Sequence, residues 1–148
     1  MSVCHEDILM MLDWNNPEPI QERGVQLAMQ CKDFSVFVQP VFPKYNKNVW
    51  ENCAKVICRK SDMELQPYIP LLLEWLQDLN WPGAISILER LKSCKGEVFV
   101  APFFETVQKA LKNRERNEAW LCNLSVYICR PDVYSALNDA QKRCLKSI

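Results

Sequence analysis

Glycine is scarce: 148 residues contain only Gly24, Gly83 and Gly96, too scattered to form a glycine-rich phosphate loop. Histidine is scarcer, with His5 alone, so the commonest general base and metal ligand is missing from almost the whole chain. Period-two alternation appears only around residues 34–38 and 98–100, and each run meets a proline, which leaves strands little support. Net charge is absent, because eighteen basic residues balance eighteen acidic ones, and no overall field draws the chain to phosphate or to a membrane. The longest apolar segment, residues 69–73 with Trp75 and Leu76, is broken by Pro70 and Glu74 and falls far short of the roughly 20 residues that cross a bilayer. The start, Met1-Ser2-Val3-Cys4-His5-Glu6-Asp7, carries acid where a signal peptide needs basic residues; the reading is a cytoplasmic protein without membrane association.

Cysteine is plentiful, at eight residues, but no Cys-x-x-Cys occurs and Cys53 and Cys58 have four residues between them. In a cytoplasmic chain of this size these read as reduced thiols acting as small hydrophobes, with no metal and no cofactor. With 49% apolar and 24% charged residues, the chain has enough material for one globular core.

Apolar residues recur at helical spacing. Ile8, Leu9, Met11 and Leu12 predict a short helix ending near Trp14, and Pro17 and Pro19 suit the first turn of a second, which runs to Cys31 past a weakening Gly24. A third begins after Tyr45-Asn46-Lys47-Asn48, buries Val49, Trp50, Cys53, Val56 and Ile57, and ends near Arg59-Lys60. Leu65, Ile69, Leu72, Leu76 and Leu79 mark a fourth, regular from about Pro67. The turn Asn80-Trp81-Pro82-Gly83 then opens a fifth, with Asn80 as cap and Pro82 in first position, stopped by Cys94-Lys95-Gly96. Phe103–Leu111 and Trp120–Ile128 predict two more, and Val133, Leu137, Ala140, Cys144 and Ile148 one face of a last helix from Pro131.

These pieces recur in order. Cys31-Lys32 followed by Phe37-Val38-Gln39-Pro40-Val41-Phe42 is echoed by Cys94-Lys95 followed by Phe99-Val100-Ala101-Pro102-Phe103-Phe104, and Ile57-Cys58-Arg59 by Ile128-Cys129-Arg130. Trp14 pairs with Trp81 and Trp50 with Trp120, while the charged run from Lys109 to Glu118 supplies the extra residues of the second copy. The expectation is an all-α, HEAT- or armadillo-like α-α superhelix of about seven or eight helices in two degenerate units. Unit one spans about 1–62, unit two about 63–132, and a capping helix about 132–148. Charge follows the same order: residues 1–31 and 62–91 each hold five acids and one base, whereas 32–61 and 92–148 are net basic. Stacked units would turn that alternation into stripes.

Catalytic constellations are weak. Cys4 and His5 are adjacent at a terminus, and Glu74 and Asp78, four apart on one helix face, repel each other. The two Trp-Asn-Pro turns carry more. Asp13, Trp14, Asn15 and Asn16 in the first, with Glu74, Asp78, Asn80 and Trp81 at the second, form a candidate aromatic and acidic ridge for a protein partner with a basic surface. The competing role for the tryptophans is to lock helix angles by packing beneath the turns. A nucleic-acid reading would use Lys109, Lys112, Arg114 and Arg116 with Lys142, Arg143 and Lys146, but Glu115 and Glu118 dilute the run.

The stretch Leu71-Leu72-Leu73-Glu74-Trp75-Leu76-Gln77-Asp78-Leu79-Asn80-Trp81-Pro82-Gly83-Ala84 resembles the hallmark of a small bacterial family known as domain of unknown function 5071. The first half departs from it, reading Leu12-Asp13-Trp14-Asn15-Asn16-Pro17. The resemblance implies an all-α, HEAT-like fold and brings no activity and no catalytic residues; relatives of this sort sometimes sit among toxin-immunity and adaptor proteins. Residues and resemblance together lead to the expectation of a non-enzymatic protein-binding module, with a helical-repeat nucleic-acid binder as the alternative.

Overall fold

Ile8, Leu9 and Leu12 lie on one buried face of α1 (His5–Met11), which packs against α2 (Glu18–Met29). Gly24 makes this crossing close: a Cβ there would stand 2.9 Å from Met11 Cβ and 3.0 Å from Leu12 Cδ2. The computed structural model describes residues 3–40 and 46–146, and no strand occurs among them: the fold is all-α. The alternation at 34–38 resolves into a 3-10 turn, Ser35–Phe37, and that at 98–100 lies inside a helix. Val41, Phe42, Tyr45 and Ile148 lie outside the described residues, as does the side chain of Cys144.

α3 (Trp50–Cys58) follows a 3-10 turn whose Asn46 side chain accepts the Asn48 N–H. It buries Trp50, Cys53, Val56 and Ile57 as its spacing requires, together with Asn52. The fourth expected helix starts earlier and is less regular than its leucine spacing suggests. Ser61 and Glu64 form a reciprocal capping box that starts α4 (Asp62–Leu65); a 3-10 turn, Gln66–Tyr68, leads to α5 (Ile69–Glu74) and another, Trp75–Gln77, ends the rod. Pro67 and Pro70 each remove one N–H from the ladder, which is where the rod tightens into 3-10 geometry.

Three further expectations fail locally. α6 (Ala84–Lys92) begins after Gly83, which takes a left-handed conformation at φ 83°, so Pro82 precedes the helix instead of opening it. Gly96 does not stop α6; it begins α7 (Gly96–Leu111), a helix that starts well before Phe103 and absorbs Pro102, with Thr106 Oγ1 donating to the Pro102 carbonyl at 2.8 Å. The last helix is two, α9 (Pro131–Ala136) and α10 (Asp139–Lys146), because Leu137 is extended at ψ 143°. Val133 and Leu137 are buried but Ala140 is exposed, so the expected single face ends at that break. Between α7 and α9, α8 (Glu118–Leu124) runs into a 3-10 turn, Ser125–Cys129.

Hydrogen bonds fix the order of the layers. Asn52 Nδ2 reaches Gln21 Oε1 at 2.9 Å near the starts of α3 and α2, and Lys60 Nζ reaches the Met29 carbonyl at 3.4 Å near their ends, so the two helices run side by side in the same direction. Gly83 N–H to Glu51 Oε2 at 2.9 Å, Cys58 Sγ to the Ser86 carbonyl at 3.4 Å and Arg90 Nη2 to the Lys60 carbonyl at 2.9 Å place α6 alongside α3 in the same sense. One continuous core joins both halves of the chain, with Trp50, Trp75, Phe99, Phe103 and Tyr127 fully buried.

Candidate functional site: two aspartate turns and a tryptophan ridge

Asp13 and Asp78 build the same turn. Asp13 Oδ1 accepts the Asn15 N–H at 2.8 Å and Asp78 Oδ1 accepts the Asn80 N–H at 2.8 Å; the carbonyl of each accepts the N–H three residues on, from Asn16 and Trp81. These are Asx turns, in which a short carboxylate satisfies the backbone where a helix ends. Asn80 therefore serves the turn before it and does not cap α6; the residue in the N-cap position is Gly83, whose N–H donates to Glu51. The shared geometry also corrects the register of the two motifs: Asp13-Trp14-Asn15-Asn16-Pro17 lies opposite Asp78-Leu79-Asn80-Trp81-Pro82, so Trp14 corresponds to Leu79 and Trp81 to Asn16.

The two tryptophans accordingly differ. Trp14 is 46% exposed, and its backbone is held on both sides: its N–H donates to the Asn48 carbonyl at 3.1 Å and its carbonyl accepts Gln21 Nε2 at 3.1 Å. Asn16 Nδ2 ties off the end of α1 at the carbonyls of Met10 and Met11, at 2.7 and 3.2 Å. Met10 and Ile20, at 73% and 42% exposure, flank the same turn. Trp81 is half-buried edge-on against Trp50 at 5.6 Å, and Lys47 Nζ lies 5.4 Å from its ring centroid. Its open face is thus covered by a cation of the same chain. Segment 46–48 links the turns, touching Trp14 through Asn48 and Trp81 through Lys47.

Glu74 already has a partner within the chain. Its carboxylate accepts Lys109 Nζ at 2.6 Å, which joins α5 to α7 and takes one cation out of the basic run. Glu74 and Asp78 share no site, since each has its own partner. Cys4 Sγ donates to Asp7 Oδ2 at 3.1 Å, while the His5 ring meets Phe37 edge-on at 5.9 Å, so this neighbouring pair is not joined as thiol and base. Burial pushes the Cys58 and Cys94 thiols up to about 11 and Cys53 further still, leaving them protonated at neutral pH. Among the described residues no cluster of three or more His, Cys, Asp or Glu side chains is arranged to hold a metal ion, and no helix is long and apolar enough to cross a membrane.

Met10, Ile20 and Lys47 belong to the ridge region although their spacing does not single them out. Lys47 is legible only as part of the polar lead into α3, and nothing local in the sequence places it over Trp81.

An all-α fold whose most exposed tryptophan sits on a braced turn defines a helical protein with a candidate interaction surface. The chain belongs to the family described as domain of unknown function (DUF5071), whose model matches residues 43–137. That span contains the Trp-Leu-Gln-Asp-Leu-Asn-Trp-Pro stretch on which the resemblance rests, together with Glu74, Asp78, Asn80 and Trp81; the turn bearing Trp14 precedes it. No curated protein and no solved structure matches the chain.

Proposed function

We propose that the chain is a non-enzymatic, cytoplasmic protein-binding module with an adaptor or immunity-like role. It is a HEAT- or armadillo-like superhelix of two degenerate units, about 1–62 and 63–132, closed by a cap at about 132–148. Three matched sets of contacts support the duplication besides the sequence echoes. The Asx turns at Asp13 and Asp78 are the first. In the second, Asn52 Nδ2 donates to the Leu12 carbonyl at 2.7 Å and Asn123 Nδ2 to the Leu76 carbonyl at 2.8 Å, each just before its turn. In the third, a cation near the end of each unit bonds an earlier helix end and lies over an aromatic ring, one and three residues out of register with the echoes that pair Arg59 with Arg130 and Phe37 with Phe99: Lys60 bonds Met29 and lies 4.9 Å over Phe34, and Arg130 bonds Leu91 and Cys94 and lies 5.2 Å over Phe99.

The exposed, braced Trp14 carries the binding reading. A large aromatic carried on a backbone held at both its N–H and its carbonyl loses little main-chain freedom on docking, and such side chains dominate interface energetics. Asp13 at the same turn, with Glu6, Asp7, Glu18 and Glu22 exposed on α1 and α2, selects a partner of basic surface. Asn15 and Asn16 complete this side of the ridge, while Asp78, Asn80 and Trp81 supply a second, more enclosed side and Glu74 only a positioning contact. The test is quantitative affinity capture from the source cell with the wild type, Trp14→Ala and Asp13→Lys. The proposal expects a protein enriched by the wild type and lost with both variants, whose circular-dichroism spectra stay unchanged. Capture of the same set by Trp14→Ala, or capture abolished by nuclease, would overturn it.

A further inference from the structure

Between the two hydrogen-bonded ends of α2 and α3 the helices part, leaving a groove of about 540 Å³ lined by Glu18, Gln21, Glu22, Val25, Gln26, Asn52, Lys55 and Arg59. The lining is polar except for Val25, whereas small-molecule pockets are mostly apolar. Its charges are sorted along its length. Glu18 and Glu22 occupy adjacent turns at the start of α2, beside Gln21 and the ridge; Lys55 and Arg59 occupy adjacent turns at the end of α3. Because α2 and α3 run in the same direction, one end of the groove is acidic and the other basic. No ion pair among the described residues involves any of these four side chains. Each pair suits its own helix dipole, but like charges a turn apart also repel, and an incoming opposite charge would relieve both.

The geometry points to this groove as the continuation of the Trp14 ridge, taking an extended segment of a partner protein whose basic residues lie at Glu18 and Glu22 and whose acidic residues lie at Lys55 and Arg59. The inference rests on the ridge reading and specifies the partner's charge order. Continuity is structural: Gln21 Nε2 bonds the carbonyls of Trp14 and Asn16 at 3.1 and 2.7 Å, and Gln21 Oε1 accepts from Asn52 on the groove floor. From Glu18 to Gln26 the helix rises about 12 Å, a distance that about four extended residues span. The basic and acidic groups of the bound segment are therefore separated by only a few residues. A nucleic acid does not meet this requirement, since its phosphates would face Glu18 and Glu22.

The probes are two fluorescent peptides with blocked termini and identical composition. One has a basic pair, a short neutral spacer and an acidic pair; in the other the charges are interleaved. Fluorescence anisotropy with the full chain should show the sorted peptide binding at least about tenfold more tightly, weakening as salt is raised. Lys55→Glu with Arg59→Glu should abolish the preference, and Lys55→Gln with Arg59→Gln, a milder change for the fold, should reduce it. Equal affinity for the two peptides, no binding of either, or a preference that survives both double variants would overturn the inference. If the groove fails while Trp14→Ala still loses the captured partner, the ridge stands alone; if Trp14→Ala also keeps the partner, both readings fall.

Discussion

Replacing Gly83 with alanine should be the most damaging small change available in this chain. Gly83 has φ 83°, where an L-residue pays roughly 1–2 kcal/mol. The added Cβ would lie 2.7 Å from Ala54 Cβ, 2.9 Å from the Trp50 carbonyl oxygen and 3.0 Å from Trp75 Cζ2. Ala54 has no rotamer to yield, and both tryptophans are fully buried, so relief requires moving α6 away from α3. Overpacking of this kind typically costs about 1–3 kcal/mol. The total, about 2–5 kcal/mol, is a large share of the 5–15 kcal/mol typical of a domain, and corresponds to a melting-temperature drop of about 5–20 °C at this size. Urea unfolding followed by circular dichroism measures it. Gly96→Ala is the internal control: the nearest atom to its Cβ would be Asp132 Oδ2 at 3.4 Å, and its φ is not positive, so its cost should be under about 0.5 kcal/mol. A Gly83→Ala cost below about 1 kcal/mol, or equal costs at the two positions, would refute the close α3–α6 packing.

The tryptophans should separate in the same assay: Trp81→Ala, which strips the cover from Trp50, should cost about 2 kcal/mol, whereas Trp14→Ala should cost about 1 kcal/mol or less. Asp62 supplies a pH test. Burial raises its carboxyl, but hydrogen bonds from Arg90 and the Lys95 N–H, with their charges, outweigh this and hold it below the usual range. A depressed carboxyl stabilises the fold above its unfolded value near 4 and loses that contribution as pH falls through the folded value. Urea midpoints should therefore fall below about pH 4, and Asp62→Asn should flatten that fall while costing about 2 kcal/mol at neutral pH. Thiol counting in denaturant should find all eight cysteines free; in the native protein, exposed Cys4, Cys122 and Cys129 should react before buried Cys53 and Cys94. Two or more missing thiols in protein kept under nitrogen would contradict this. Labelled duplex and single-stranded nucleic acid should fail to bind at micromolar protein near physiological salt, and tight, steeply salt-dependent binding would favour the basic run from Lys109 to Arg116 instead.

Helical spacing carries much of the fold, because three- and four-residue intervals such as Val49, Cys53, Val56 and Ile57 leave one face to bury. Helix boundaries are ambiguous in the sequence wherever proline or glycine can play two roles. Pro102 sits inside α7 although it has no N–H for the Val98 carbonyl one turn earlier, and Gly96 starts a helix where composition suggests a stop. Gly83 reads in sequence as the tail of a proline turn; the close approach of Ala54 and Trp50, which leaves no room for a Cβ there, comes from residues distant in sequence. The ridge was legible as two related turns, but not the unequal exposure of their tryptophans, since the residue covering Trp81 is Lys47 from another loop. The charge-sorted groove has no local sequence signature for the same reason: Glu18, Glu22, Lys55 and Arg59 line one groove only when α2 and α3 align.

The central claim is that Trp14 is the exposed anchor for a protein partner, with Trp81 on the more enclosed side of the same ridge and buried Trp50 and Trp75 holding the fold. Labelling all five tryptophans with 5-fluorotryptophan, assigning each resonance by single Trp→Phe variants, and titrating the captured partner tests it directly. The account predicts a large shift or broadening confined mainly to the Trp14 resonance, with those of buried Trp50 and Trp75 nearly still. A partner that binds while leaving the Trp14 resonance unmoved would contradict it.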